Sequence, residues 1–224
     1  IVSPDGDNNF PGKVTATTTY TVLSNNTLDI TFDATTDKET VVNMTNHSYF
    51  NLNGDPSKEG TNMVLYVNAD NFTPADNTYM TTGEIKSVEG TPMDFRKAHA
   101  ISETINDTTY DQIKNATGYD HNWCLNTYKD GKGDDTKVCA SLYSPITSIL
   151  LEMYTNEPGV QVYTGNFQGT GIACKHGIKY PKHVSVCLES QKYPDSPNKK
   201  DWPSPYLKPG EKYHSHVAYK FSIK

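Results

Sequence analysis

The run YHSHVAYKFSI, Tyr213–Ile223, alternates strictly between two sets of side chains, and that alternation recurs along most of the chain. A period of two places successive side chains on opposite faces of an extended backbone, which is the pattern of a half-buried β-strand. KVTATTTYTVL and TLDITFDATT show it on either side of an Asn25-Asn26 turn and together predict a hairpin. TVVNMTNHSYFNLN follows, closed by Gly54-Asp55-Pro56, and then NMVLYVNADNFTP, each read as one strand. TKVCASLYSP, SILLEMYTN, GVQVYTGNF and HVSVCLESQ complete the series of short strands. Helix-like pieces are few and short, around AHAISETI and YDQIKNA. Many short strands with turn signals between them predict an all-β fold, a large sandwich held in one domain over residues 1–224.

Composition agrees and closes off several functions. Hydrophobic residues make up 35%, and Tyr, at 15 copies, leads the aromatics, a balance that favours strands and turns. The net charge is -6 with no basic run longer than Lys199-Lys200, so an electrostatic footprint for nucleic acid is absent. No run of 18 apolar residues occurs, so no helical membrane span is expected. Without a visible leader the sequence leans toward the cytoplasm, whereas a signal peptide upstream of Ile1 would make the protein secreted or periplasmic. The four cysteines lack C-x-x-C spacing and read as free thiols. His214-x-His216 puts two imidazoles on one strand face, but no third ligand stands near in sequence, so no metal site is expected. Phosphate-cradling loops and a nucleophile elbow are missing.

Four positions could carry chemistry. In NMTNHSYFNL, one face of the predicted strand holds Asn43, Thr45, His47, Tyr49 and Asn51, polar throughout and without a full charge. His47 in that row is either a structural histidine bonded to its neighbours or a general acid, since imidazole titrates near neutrality. Glu189 lies near the end of HVSVCLESQ, on the face of Ser185, Cys187 and Gln191, just before a Pro-rich turn. It is either a solvated strand-end carboxylate or a functional group where sheet meets loop. GYDHNWCL carries Asp120, Asn122 and Cys124 on one face, and GVQVYTGNF carries Gln161 and Tyr163 on one face. Amides and aromatic rings on a common surface suit sugars, although Tyr and Trp serve packing more often.

Taken in order, NMTNHSYFNLNG, TPADNTYMTTGEI, TPMDFRK, GYDHNWCL, EPGVQVYTGNF, LESQKYPDSPN and LKPGEKYHSHVAYKF resemble the aldose 1-epimerase (galactose mutarotase) family, from about Lys13 to the C-terminus. The resemblance implies a β-supersandwich with an open sugar cleft across the sheet. It implies catalysis without cofactor or metal, with His47 as general acid, Glu189 as general base, and Asp120 and Gln161 binding an aldohexose such as galactose or glucose. Acid and base flanking one pyranose ring would stand about 5–8 Å apart if each bonds its own sugar oxygen. The family's Asn-Arg and His-Gly-Gly motifs do not occur, so the chain is expected to correspond to the C-terminal two-thirds of such a protein, lacking its N-terminal region. A non-catalytic carbohydrate-binding domain on the same fold is the alternative, and a hexose-6-phosphate epimerase a further rival that would need an anion site. Preferred aldose and oligomeric state are not written in the sequence.

Overall fold

In the computed structural model, which describes all 224 residues, the alternating runs form strands. In chain order these are β1 (Val2–Ser3), β2 (Val14–Leu23), β3 (Thr27–Thr36), β4 (Thr40–Val41), β5 (Val64–Val67), β6 (Asn71–Thr73), β7 (Lys86–Ser87), β8 (His99–Ala100) and β9 (Asp120–Cys124). The remainder are β10 (Tyr128–Lys129), β11 (Lys132–Gly133), β12 (Ala140–Tyr143), β13 (Ile149–Thr155), β14 (Gly159–Tyr163), β15 (Cys187–Gln191), β16 (Tyr206–Leu207) and β17 (Tyr213–Ile223). One short α-helix, α1 (Asp111–Ala116), falls within the helix-like YDQIKNA, whereas AHAISETI forms β8 and then a 3-10 turn at Ile101–Glu103.

Eight strands pair in the order β1-β2-β3-β17-β13-β12-β5-β8, and five in the order β15-β14-β9-β6-β7. Every pairing is antiparallel. The β2–β3 hairpin closes as expected, with Leu23 opposite Thr27 and Asn26 in the left-handed region at φ 63°, a conformation Asn tolerates better than most residues. Inward residues of the large sheet, among them Ile30, Phe32, Leu142, Leu151, Val217 and Tyr219, meet Phe72, Trp123, Val160, Val162 and Leu188 of the small one in a single apolar cluster. Two of the large ring side chains in this core have their polar atoms satisfied. Trp123 Nε1 donates to Met93 O at 3.0 Å, and the Tyr219 hydroxyl donates to Leu188 O at 2.7 Å. The second bond ties the large sheet to the backbone of β15.

Two expected strands differ. The run 62–74 splits, because β5 belongs to the large sheet and β6 to the small. Between them Asn68 donates its N–H to Cys139 O and accepts from Asn126 N, so its backbone groups serve two different partners and the ladder breaks. Periodicity registers which face a residue takes but not which sheet it joins. The run 40–53 is a strand only at Thr40–Val41. Beyond it the chain is extended without a ladder, apart from a single bridge between Phe50 and Val186. Alternation survives there for packing reasons: Val42 and Leu52 are buried, and the Phe50 ring lies 5.1 Å from Tyr219 and 6.3 Å from Phe221.

Burial of β2 is much lighter than that of the core strands. Ala16 is its one buried residue, and Val22 is 84% exposed whereas Leu142 in β12 is fully buried. Leu142→Ala is expected to cost about 2–5 kcal/mol in denaturant titrations, from lost transfer energy and the cavity left behind. Val22→Ala should stay within about 0.5 kcal/mol.

Candidate active site

Strand β14 pairs with β9 on one side and β15 on the other, and the two registers fix a patch of side chains. Gln161 stands opposite both Asn122 and Glu189, and Tyr163 opposite both Asp120 and Cys187. Residues directly opposite in an antiparallel ladder point to the same face. One face of these three strands therefore presents Asp120, Asn122, Gln161, Tyr163, Cys187 and Glu189, while Trp123, Val160, Val162 and Leu188 point into the core. His121 also faces inward, buried, edge-on to Phe72 and Trp123, and burial pushes its imidazole down to about 4, so it is a neutral packing residue. Gly159 fits the same logic: a Cβ there would lie 2.2 Å from Asn122 Oδ1.

His47 reaches this face from the extended segment rather than from a strand. The segment is fastened beside β15 at two points. Phe50 and Val186 exchange both backbone hydrogen bonds, at 2.8 and 2.9 Å. Asn43 does the same through its side chain, donating Nδ2 to Lys192 O at 3.1 Å and accepting from Lys192 N at 2.9 Å. Counted antiparallel from the Phe50–Val186 pair, His47 falls opposite Glu189. Its Nε2 lies 3.4 Å from Glu189 Oε1. That is shorter than the separation expected for groups on either side of a whole ring.

All four predicted residues, His47, Asp120, Gln161 and Glu189, line one open cleft of about 480 Å3, together with Tyr49, Tyr79, Tyr163, Phe167, Gln191 and Pro194. The volume lies within the usual range for small-molecule sites. An amide chain sets the polar floor. Gln191 Nε2 donates to Asn122 Oδ1 at 3.1 Å and to Gln161 Oε1 at 2.9 Å, which turns Gln161 Nε2 toward Asp120 Oδ1 at 2.8 Å. Rings form the wall: Tyr49 and Tyr163 are 4.9 and 6.0 Å from His47, and Tyr79 packs edge-on to Phe167 at 5.8 Å. The sequence reading did not assign Gln191, Tyr49, Tyr79 or Phe167 to the site. Gln191 could have been found, as it shares the alternation of Glu189; Tyr79 and Phe167 arrive from loops and had no such signal.

Burial dominates the electrostatics. It pushes the Glu189 carboxyl up to about 7; His47 works against that rise and Asp120 adds to it. Burial also raises Asp120, opposed by the hydrogen bond from Gln161 and by His47. Two carboxyls in one partly dry site resist full ionisation together. Elsewhere the His214-x-His216 pair is engaged by carboxylates. His214 Nδ1 meets Asp33 at 2.8 Å, and His216 bridges Asp135 and Asp29 at 2.8 Å each. A larger cavity of about 710 Å3 lies near Arg96, whose guanidinium is paired with Asp94 and Asp70.

Fold and site together describe a protein class: an antiparallel β-sandwich with a histidine–carboxylate pair in a polar, aromatic-walled cleft. The chain belongs to the aldose 1-epimerase family, whose model matches residues 1–220. It is 40% identical over 222 residues to galactose mutarotase of Mus musculus, covering 99% of this chain and 61% of that protein. It is 41% identical over 224 residues to aldose 1-epimerase of Escherichia coli K12, covering 99% of this chain and 62% of that protein. A solved structure of the GalM/aldose epimerase homologue from C. elegans superposes with a TM-score of 0.85 at 28% identity, over 100% of this chain and 64% of that one. The fold is thus the β-sandwich of the galactose mutarotase type. The chain spans about three-fifths of the length of the curated relatives it matches.

Raising the carboxyl of Glu189 has a thermodynamic consequence. The folded state holds this proton more tightly than the unfolded chain does, so the folded protein is favoured at pH below the unfolded value of 4.5 and loses that advantage as pH rises toward 7. Glu189→Gln, which cannot ionise, should therefore melt at a higher temperature than the parent at pH 8, and calorimetric scans should show the gap closing toward pH 4.

Proposed function

We propose that the cleft interconverts the α and β anomers of an aldohexose by general acid/base catalysis. The observation that carries this reading is the His47–Glu189 pair: an imidazole 3.4 Å from a carboxyl whose burial brings it to about 7. Mutarotation needs two proton carriers at one carbon. Glu189 takes the proton from the anomeric hydroxyl while His47 gives one to the ring oxygen, and the C1–O5 bond breaks to leave the open-chain aldehyde. Rotation about C1–C2 presents the other face of the carbonyl. The C5 hydroxyl then closes on C1, returning its proton to His47 as Glu189 protonates the carbonyl oxygen. Both sugar oxygens are attached to C1, so the groups that serve them must converge, and this suits the short separation better than a pair straddling the whole ring. Each group has to change charge near neutral pH, which fits an imidazole and a raised carboxyl.

Asp120 and Gln161 hold sugar hydroxyls, with Gln161 aimed by Gln191, and Tyr49, Tyr163 and Phe167 offer rings to C–H faces. The names of the relatives, galactose mutarotase and aldose 1-epimerase, point to galactose and related aldoses as substrates. A phosphorylated hexose fits less well, because neither Lys nor Arg lines the cleft and Arg96 is paired elsewhere. A pure sugar-binding module has no use for a proton-exchanging pair, and it is the outcome to which a catalytically silent but sugar-binding protein would point.

Polarimetry on freshly dissolved α-D-galactose and α-D-glucose tests the proposal. Glu189→Gln and His47→Asn should each lower the catalysed rate by about 10²–10⁴ while calorimetric sugar affinity changes only a few-fold. Loss of binding with turnover intact at saturation would make Glu189 a binding residue. The kcat/KM of the parent should climb on an acidic limb near pH 7 as Glu189 ionises, and Glu189→Gln should lack that limb.

A further inference from the structure

The side chains of His47, Cys187 and Glu189 bring three metal-ligating atoms, one nitrogen, one sulfur and one oxygen, within 4.8 Å of one another. Cys187 and Glu189 sit two residues apart on β15 and so share a face, and His47 stands opposite Glu189 on the clamped segment. We propose that these three side chains form an inhibitory site for a thiophilic divalent cation of the zinc type, which on binding takes the acid/base pair out of use. The site itself stands on its donors; its effect on turnover rests on the catalytic reading above.

Ligand bonds of about 2.0–2.3 Å at a tetrahedral angle set neighbouring donors about 3.3–3.6 Å apart. His47 Nε2 and Glu189 Oε1 are already 3.4 Å apart. The thiol has to close the remaining gap, and the adjustable partner is His47, whose side chain is 48% exposed while Glu189 is nearly buried. Three protein donors leave the fourth position facing the cleft, open to water. The donor types matter as well. A thiolate with an imidazole selects Zn2+ over Mg2+ or Ca2+, which prefer all-oxygen sets.

The Cys187 thiol and the Glu189 carboxyl stand side by side, so a metal would meet both donors together. A dication in the middle of that group reverses the local field. The thiol proton leaves to solvent, and thiolate plus carboxylate neutralise the metal's two charges. Occupation removes the lone pair on His47 and the basic oxygen of Glu189 from proton exchange. It also fills the place where the anomeric carbon would sit, so inhibition should be competitive with sugar.

Cobalt(II) is the probe for the site, because thiolate ligation gives it a near-ultraviolet charge-transfer band. Titration of the full chain should develop that band to one equivalent. Cys187→Ala should abolish it, and Cys174→Ala, which removes the exposed thiol, should leave it unchanged. Circular dichroism of Cys187→Ala and of Cys187→Ser checks that both fold. In polarimetry Zn2+ should inhibit the parent and EDTA should restore the rate. Cys187→Ala should raise the half-inhibiting Zn2+ concentration by at least about 10–100-fold, a loss that even an outer partner of a metal ligand can carry. No charge-transfer band in the parent, or a band that survives Cys187→Ala and disappears in Cys174→Ala, would overturn the site. A cobalt band lost only in Cys187→Ala, with mutarotation unaffected by saturating metal, would uphold the site and instead remove His47 and Glu189 from the catalytic role.

Discussion

The double register of β14 is the constraint on which the site depends. One strand, paired in step with β9 and with β15, decides that Asp120, Gln161 and Glu189 share a face and that Trp123, Val162 and Leu188 share the other. A slip of one residue would turn every one of these side chains over, exposing the apolar row and burying the carboxyls. The apolar row resists that slip, since Trp123, Val160, Val162 and Leu188 are all fully buried. The hydrophobic effect thus sets which residues make up the polar face. The Tyr219 hydroxyl reinforces this by holding the backbone of Leu188, next to Glu189, from the opposite sheet.

His47 is positioned by a different device. Its segment carries no ladder between Asn43 and Phe50, so its position rests on the paired hydrogen bonds at those two ends, on Met44 N donating to the Tyr213 hydroxyl at 3.1 Å, and on Phe50 packing against Tyr219 and Phe221. A strand edge there would have committed the backbone groups of the segment to a ladder. The clamped extended chain instead leaves the His47 side chain half-exposed at the mouth of the cleft while Glu189 stays buried at its floor. One group is held by the core and the other has room to move, a division that suits the proposed roles of the two as proton carriers with a ligand between them.

Burial shapes both packing and acidity at Glu189. The same removal from water that makes the sandwich stable penalises the ionised carboxyl and brings it to about 7. A carboxyl held out of water is a group the fold would be more stable without, and the amide chain from Asn122 through Gln191 and Gln161 to Asp120 limits that cost by satisfying the neighbouring polar atoms. The third donor beside the pair, Cys187, follows from the same strand alternation that displays Glu189.

Much of this was legible in the sequence. Period-two alternation identified the all-β class, the Asn25-Asn26 hairpin and the run Tyr213–Ile223, because each depends on local pattern and a short turn. Ordered motifs singled out His47, Asp120, Gln161 and Glu189, and the fold brings all four to one cleft. What the sequence left undecided are relations between distant segments. Alternation could not reveal that residues 62–74 cross from one sheet to the other, or that the His47 segment is clamped coil, because both outcomes turn on which backbone partner is available rather than on side-chain pattern. Neither could it reveal the contact between His47 and Glu189 or the nearness of Cys187 to both, since spacing along the chain carries no information about separation across a sheet. The sequence by itself determined which side chains face inward and which outward; the tertiary structure alone decided which outward faces meet, because strand order and register are settled by the burial of the whole core at once.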